Sequence, residues 1–61
     1  MPIVQMEILK GRSLEQKREM VKEVTEAITR TLACPPEAVT IIIREMEKEE
    51  LANAGVLHAD K

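Results

Sequence analysis

The sequence predicts an α/β fold (α+β in some schemes): a single β-α-β unit with two parallel strands and a short C-terminal hairpin or arm, assembled into oligomers. Three observations predict it. Residues Ile3 to Leu9 alternate with period two, an amphipathic stripe follows at helical spacing, and VTIIIRE supplies a second stretch dense in β-branched residues. A long helical crossover between two strands makes them parallel and the connection right-handed.

In the first strand Val4, Met6 and Ile8 point one way, and Ile3, Gln5, Glu7 and Leu9 the other. The first set is wholly apolar and the second mixed, so one face is expected to be well buried. KGRS is a loop. Ser13 opens the helix, and S-L-E-Q has the form of a capping box, with Gln16 three residues after the N-cap. Met20, Val21, Val24, Ala27, Ile28, Thr31 and Leu32 form one apolar stripe. Glu15–Arg18, Glu19–Lys22 and Glu26–Arg30 stand at spacings where opposite charges meet on a solvated face. Pro35 and Pro36 end the helix. In the second strand Val39, Ile41 and Ile43 face one way, and Thr40, Ile42 and Arg44 the other. The tail, MEKEELANAGVLHADK, carries a charged turn and then Leu51, Gly55, Val56 and Leu57.

The chain has 61 residues, enough for a single domain spanning 1–61. A chain this short buries only about 60% of the surface it exposes when unfolded. Disulfides, a metal or oligomerisation are the usual remedies. One cysteine, Cys34, allows no internal disulfide, and Cys34 with the distant His58 makes no zinc set. Oligomerisation remains. Two strands and one helix also leave Ile3, Leu9 and Ile42 uncovered, and another copy of the chain is the economical cover.

A net charge of −2, no basic run and no Phe, Tyr or Trp argue against nucleic acid as a partner. No apolar stretch approaches the ~20 residues of a membrane helix. Gln5 and Glu7 interrupt the early apolar residues, so no signal-peptide pattern opens the chain. A cytoplasmic protein is expected. Cys34 is expected to pack near the helix end, and His58 to be a solvated tail residue. Glu7 is the expected ion-pair partner of Arg44.

MPIVQMEILKGRSLEQKREMVKEVTEAI resembles the N-terminal half of the 4-oxalocrotonate tautomerase (2-hydroxymuconate tautomerase) family. The Met-Pro start, the G-R-S-x-E-Q-K junction and the second strand VTIIIREM carry the resemblance together, at fixed spacing and over nearly the whole chain. It implies a short-chain, divergent member of that superfamily: a tautomerase that converts enol or dienol acids such as 2-hydroxymuconate to their keto forms. It implies no cofactor, no metal, and a homohexamer built as a trimer of dimers with sites between subunits.

The resemblance also assigns roles. Removal of Met1 would leave Pro2 with a free secondary amine. A free α-amino group titrates near 8, and an apolar pocket with nearby cations lowers that value by disfavouring the charged form. Pro2 would then be a neutral general base at pH 7. Arg12, in G-R-S, would reach the site from a neighbouring subunit and grip a substrate carboxylate with two parallel hydrogen bonds. Thr40 stands where the best-studied branch has a second arginine, and offers one hydroxyl but no charge. Leu51 stands where an aromatic residue often forms the apolar wall. The glycine-rich tail turn of the family is reduced here to Gly55 after Ala52, Asn53 and Ala54. Alternative readings are other Pro2 chemistry (hydration, dehalogenation or carbon–carbon bond formation through an enamine) and a non-catalytic subunit of a heteromeric assembly.

Overall fold

The computed structural model describes residues 1–61. Strand β1 spans Ile3–Leu9, helix α1 Leu14–Leu32 and strand β2 Thr40–Met46. Two short strands, β3 (Ala52–Asn53) and β4 (Val56–Leu57), follow, with single 3₁₀ turns at Pro36–Ala38, Lys48–Glu50 and His58–Asp60. β1 and β2 pair in parallel, with Ile3 opposite Thr40 and Leu9 opposite Met46. β3 and β4 pair in antiparallel. The β-α-β unit and the C-terminal hairpin are therefore both present.

α1 forms where the local signals place it. Ser13 Oγ accepts a hydrogen bond from the Gln16 amide (3.1 Å), and Gln16 Oε1 accepts one from the Ser13 amide (2.8 Å). This closes both halves of the capping box. Of the three expected helix-surface ion pairs, only Glu15–Arg18 forms. The half-buried face comprises Lys17, Met20, Val21, Val24, Thr25, Ala27, Ile28 and Thr29, whereas Thr31 and Leu32 are exposed. Length explains the difference. The 19-residue helix spans about 28 Å, but a seven-residue strand spans only about 23 Å. The last helical turn overshoots the sheet it rides on.

β2 starts one residue later than the β-branched run. The Val39 amide donates to the Pro36 carbonyl (3.1 Å) and completes a 3₁₀ turn instead of a ladder rung. At the far end the Lys10 amide donates to the Met46 carbonyl (2.9 Å), which carries pairing to the end of β2. Two ion pairs fasten the elements here. Lys17 meets Glu45 at 2.9 Å between α1 and β2, and Lys10 meets Glu47 at 3.0 Å between the β1–α1 loop and the turn after β2. The hydrogen bond to Glu47 and its negative charge hold the Lys10 pKa above its ordinary value.

No residue of the chain is fully buried. Val4, Met6, Ile8, Val39, Ile41 and Ile43 lie half-buried on the helix side of the sheet, while Ile3 and Ile42 stand exposed on the other. The molecule measures 43 × 24 × 14 Å, one helix laid on two strands. A layer with an open apolar face is half of a packed structure. No helix is long and apolar enough to cross a membrane.

Two alanines occupy left-handed backbone. Ala33 (φ 54°) ends α1, and Ala54 (φ 53°) with Gly55 (φ 81°) makes the two-residue turn between β3 and β4. Positive φ at both central positions is the geometry of a type I′ hairpin turn. The hairpin thus closes with one glycine, at the cost of strain at Ala54. Ala33→Gly and Ala54→Gly should each stabilise the fold by about 0.5–1 kcal/mol. Urea unfolding at matched protein concentration checks this. The midpoint should rise with an unchanged slope, and an unchanged or lowered midpoint would contradict the strain assignment.

Candidate active site

Pro2 precedes the first rung of β1 and is half-buried. Its carbonyl accepts the Thr40 amide at 3.0 Å, so it is pinned against the start of β2 by a main-chain hydrogen bond. Met1 is 85% exposed. Removing it would leave this bond intact and free the Pro2 nitrogen at the strand's beginning. Thr40 is adjacent, and its side chain shares the outward face with Ile3 and Ile42, all three exposed.

Arg12 lies at the opposite end of β1. Gly11 (φ 131°) supplies a backbone conformation that side chains disfavour, and it turns the chain out of the strand just before Arg12. Arg12 is exposed, has no carboxylate partner, and donates from Nη1 to the Leu9 carbonyl at 3.3 Å. It stands one residue before the N-cap of α1, where the helix dipole favours anions. Beside it a cleft of about 230 Å³ opens between β1 and the first turns of α1, lined by Met6, Ile8, Arg12, Gln16, Lys17 and Met20.

Leu51 follows the turn after β2 and is 38% exposed. Its carbonyl accepts the His58 amide at 2.7 Å, which ties the terminal turn to the base of the hairpin. His58 is half-buried there rather than a solvated tail residue. Cys34 is half-buried just past the end of α1.

The four expected site residues thus separate into two pairs. Pro2 and Thr40 lie where the parallel strands begin, and Arg12 and Leu51 follow where they end. The seven-residue β1 separates the pairs by about 23 Å, far beyond the reach of an arginine side chain. One chain does not bring them together. Arg44 pairs with Glu7 across the strands at 3.7 Å, as their register requires.

Lys17 closes the G-R-S-x-E-Q-K junction, but the sequence reading gave it no role at the cleft that it lines. Its signal was its phase: it stands three residues before Met20, on the same stripe as Val21 and Val24. A cation on a sheet-facing stripe asks for a carboxylate, and Glu45 provides it. No three His, Cys, Asp or Glu side chains converge anywhere in the chain.

The family model described as tautomerase enzyme matches residues 2–61. A 2-hydroxymuconate tautomerase of Pseudomonas putida is 49% identical over 57 residues, 93% of this chain and 90% of that protein. The structure resembles one of the 4-oxalocrotonate tautomerase isozymes of Methylibium petroleiphilum, with a TM-score of 0.91 and 46% identity over 95% of this chain and 91% of that one. A heterohexameric 4-oxalocrotonate tautomerase of Chloroflexus aurantiacus superposes with the same TM-score of 0.91 at 28% identity, covering 98% of this chain and 97% of that one.

Proposed function

Because the chain belongs to the tautomerase family and is an enzyme of the isomerase class, we propose that it interconverts the enol or dienol and keto forms of small 2-hydroxy/2-oxo acids such as 2-hydroxymuconate, with Pro2 as general base once Met1 is removed. The observation that carries this reading is the pinning of Pro2. Its carbonyl is fixed by the Thr40 amide, while Met1, on the other side of its nitrogen, projects into solvent.

The chemistry moves one proton and no net electrons. The neutral Pro2 nitrogen takes the proton from the enol hydroxyl. The oxygen's electron pair closes the carbonyl, the double bonds shift along the conjugated chain, and the nitrogen returns the proton to carbon. The amine is then neutral again. Arg12 grips the substrate carboxylate through two parallel N–H···O hydrogen bonds from its guanidinium. Leu51 supplies apolar wall, and Thr40 one hydroxyl. The approximately 23 Å separation along β1 and the open apolar face favour sites built between copies, in a homohexamer arranged as a trimer of dimers.

The test is ketonisation of 2-hydroxymuconate by two preparations separated by intact mass. Protein lacking Met1 should turn over. Protein retaining Met1 should be inactive, because the Pro2 nitrogen is then an amide without a basic lone pair. Equal activity from both would remove Pro2 from the mechanism.

A further inference from the structure

We propose that this site is built for a monocarboxylate: a 2-hydroxy-2-enoic acid, or its 2-oxo tautomer, whose far end carries no charge. This deepens the reading above and rests on Pro2 and Arg12 sharing one site.

The observation is a segregation of charge. Three segments at the Pro2 end of the molecule are uncharged: the beginning of β1, the chain leaving α1 from Thr31 onward, and the beginning of β2. Met1 to Met6 contain no charged side chain, nor do Thr31 to Pro36, nor Ala38 to Ile43. Four charges flank these segments in sequence: Glu7 and Arg44, which pair with each other, Glu37, which is anionic, and Arg30 in the last turn of α1, on its exposed face with Glu19, Glu23 and Glu26. The strands begin among Ile3, Ile41, Ile42 and the Thr40 hydroxyl.

Apart from Arg30 the cations lie elsewhere, and those at the ends of the two long strands are mostly engaged. Lys10 is held by Glu47, Lys17 by Glu45, and Arg44 by Glu7. Among the cations of β1, β2 and the loop leaving β1, Arg12 alone has no carboxylate partner. Lys22 is exposed in mid-helix, and Lys48 and Lys61 lie beyond β2. In an assembly of identical chains with one site per chain, symmetry gives each site one Arg12. One guanidinium fork satisfies one carboxylate.

A second carboxylate at the far end of the substrate would lie toward Ile3, Thr40 and Ile42. A single hydroxyl there cannot replace the water that an ionised carboxylate gives up. Arg44 is four residues further along β2, about 13 Å away, and its charge is already matched by Glu7. An uncharged far end, methyl or aryl, meets apolar side chains instead and loses nothing.

The experiment uses Met1-free protein and a matched pair of substrates: 2-hydroxymuconate, and the monoacid 2-hydroxyhexa-2,4-dienoate, in which a methyl group replaces the far carboxylate. The saturated pair 2-oxohexanedioate and 2-oxohexanoate serves as competitive inhibitors, which removes intrinsic reactivity from the comparison. The monoacid inhibitor should bind about tenfold more tightly, the size of one unmatched charge contact. Thr40→Arg, which places a cation in the uncharged zone, should raise the diacid-to-monoacid ratio of kcat/KM about tenfold or more. Equal or tighter inhibition by the diacid, or a ratio unmoved by Thr40→Arg in a folded variant, would overturn the monocarboxylate assignment and leave the Pro2 reaction standing. Turnover of neither substrate, with neither inhibitor bound, would overturn both.

Discussion

Replacing Pro2 with alanine should lower kcat/KM by about 10²-fold or more, while the secondary structure and assembly stay as they are. General bases contribute on the order of 10²–10⁴ to such proton transfers. An N-terminal alanine, after Met1 removal, still offers an amine. That amine is primary, better solvated when charged, and free to rotate about its own bonds. Proline's ring holds the lone pair in one direction, and the Thr40-to-Pro2 hydrogen bond holds the ring. The main-chain carbonyl persists in the variant, so the strand start should not move. The pH profile should follow the base. kcat/KM should fall as pH drops through the amine's pKa, because the protonated amine has no lone pair to offer. An ordinary α-amino group titrates near 8, which sets the range to scan. Full activity in the alanine variant, or a profile flat through that range, would remove Pro2 as the base.

Arg12→Ala should cost about 10²–10³ in kcat/KM, chiefly through KM, as expected when one partner of a charged, doubly hydrogen-bonded pair is deleted. Arg12→Lys should recover only part of this, because an ammonium keeps the charge and loses the fork. The stronger test follows from distance. Pro2 and Arg12 lie at opposite ends of the seven-residue β1, so the proposed site has to take them from different copies. Pro2→Ala and Arg12→Ala chains, each nearly inactive alone, should therefore regain activity when unfolded together and refolded as a mixture. Random mixing at equal amounts leaves about a quarter of the sites with both residues intact. Recovery toward that fraction supports shared sites. No recovery from a correctly assembled mixture would place both residues in one chain's site and contradict the strand geometry.

The parts of the fold legible in the sequence were the local ones. The Ser13–Gln16 capping box involves residues three apart, and its hydrogen bonds form as their spacing requires. The alternation of β1 and the β-branched run of β2 placed Glu7 and Arg44 on outward faces, and the parallel register then set them opposite each other. What the sequence left hidden depends on the relative lengths and register of separate elements. Leu32 continues the apolar stripe, yet it is 63% exposed because α1 outruns the strands beneath it. Lys17 meets Glu45 only once the crossover has folded back. Gly55 marks a turn, but nothing about alanine announces that Ala54 will adopt a positive φ beside it. The candidate site was legible in another way. Periodicity says nothing of Pro2, Arg12, Thr40 or Leu51. The spacing of the Met-Pro start from G-R-S carried them, through a resemblance, and the structure adds that the four divide between the two ends of the strands.

The hydrogen bond that holds Pro2 comes from the peptide group of Thr40, not from its side chain. Every amino acid except proline supplies that same N–H. Position 40 is therefore permissive toward this anchor: nineteen residue types keep it, and each presents a different group beside Pro2, the proposed base. Such decoupling lets one reaction be inherited while its clientele drifts. On the proposed mechanism, substrate preference can change by single substitutions at residue 40 without the intermediate loss of catalysis that would otherwise bar the path.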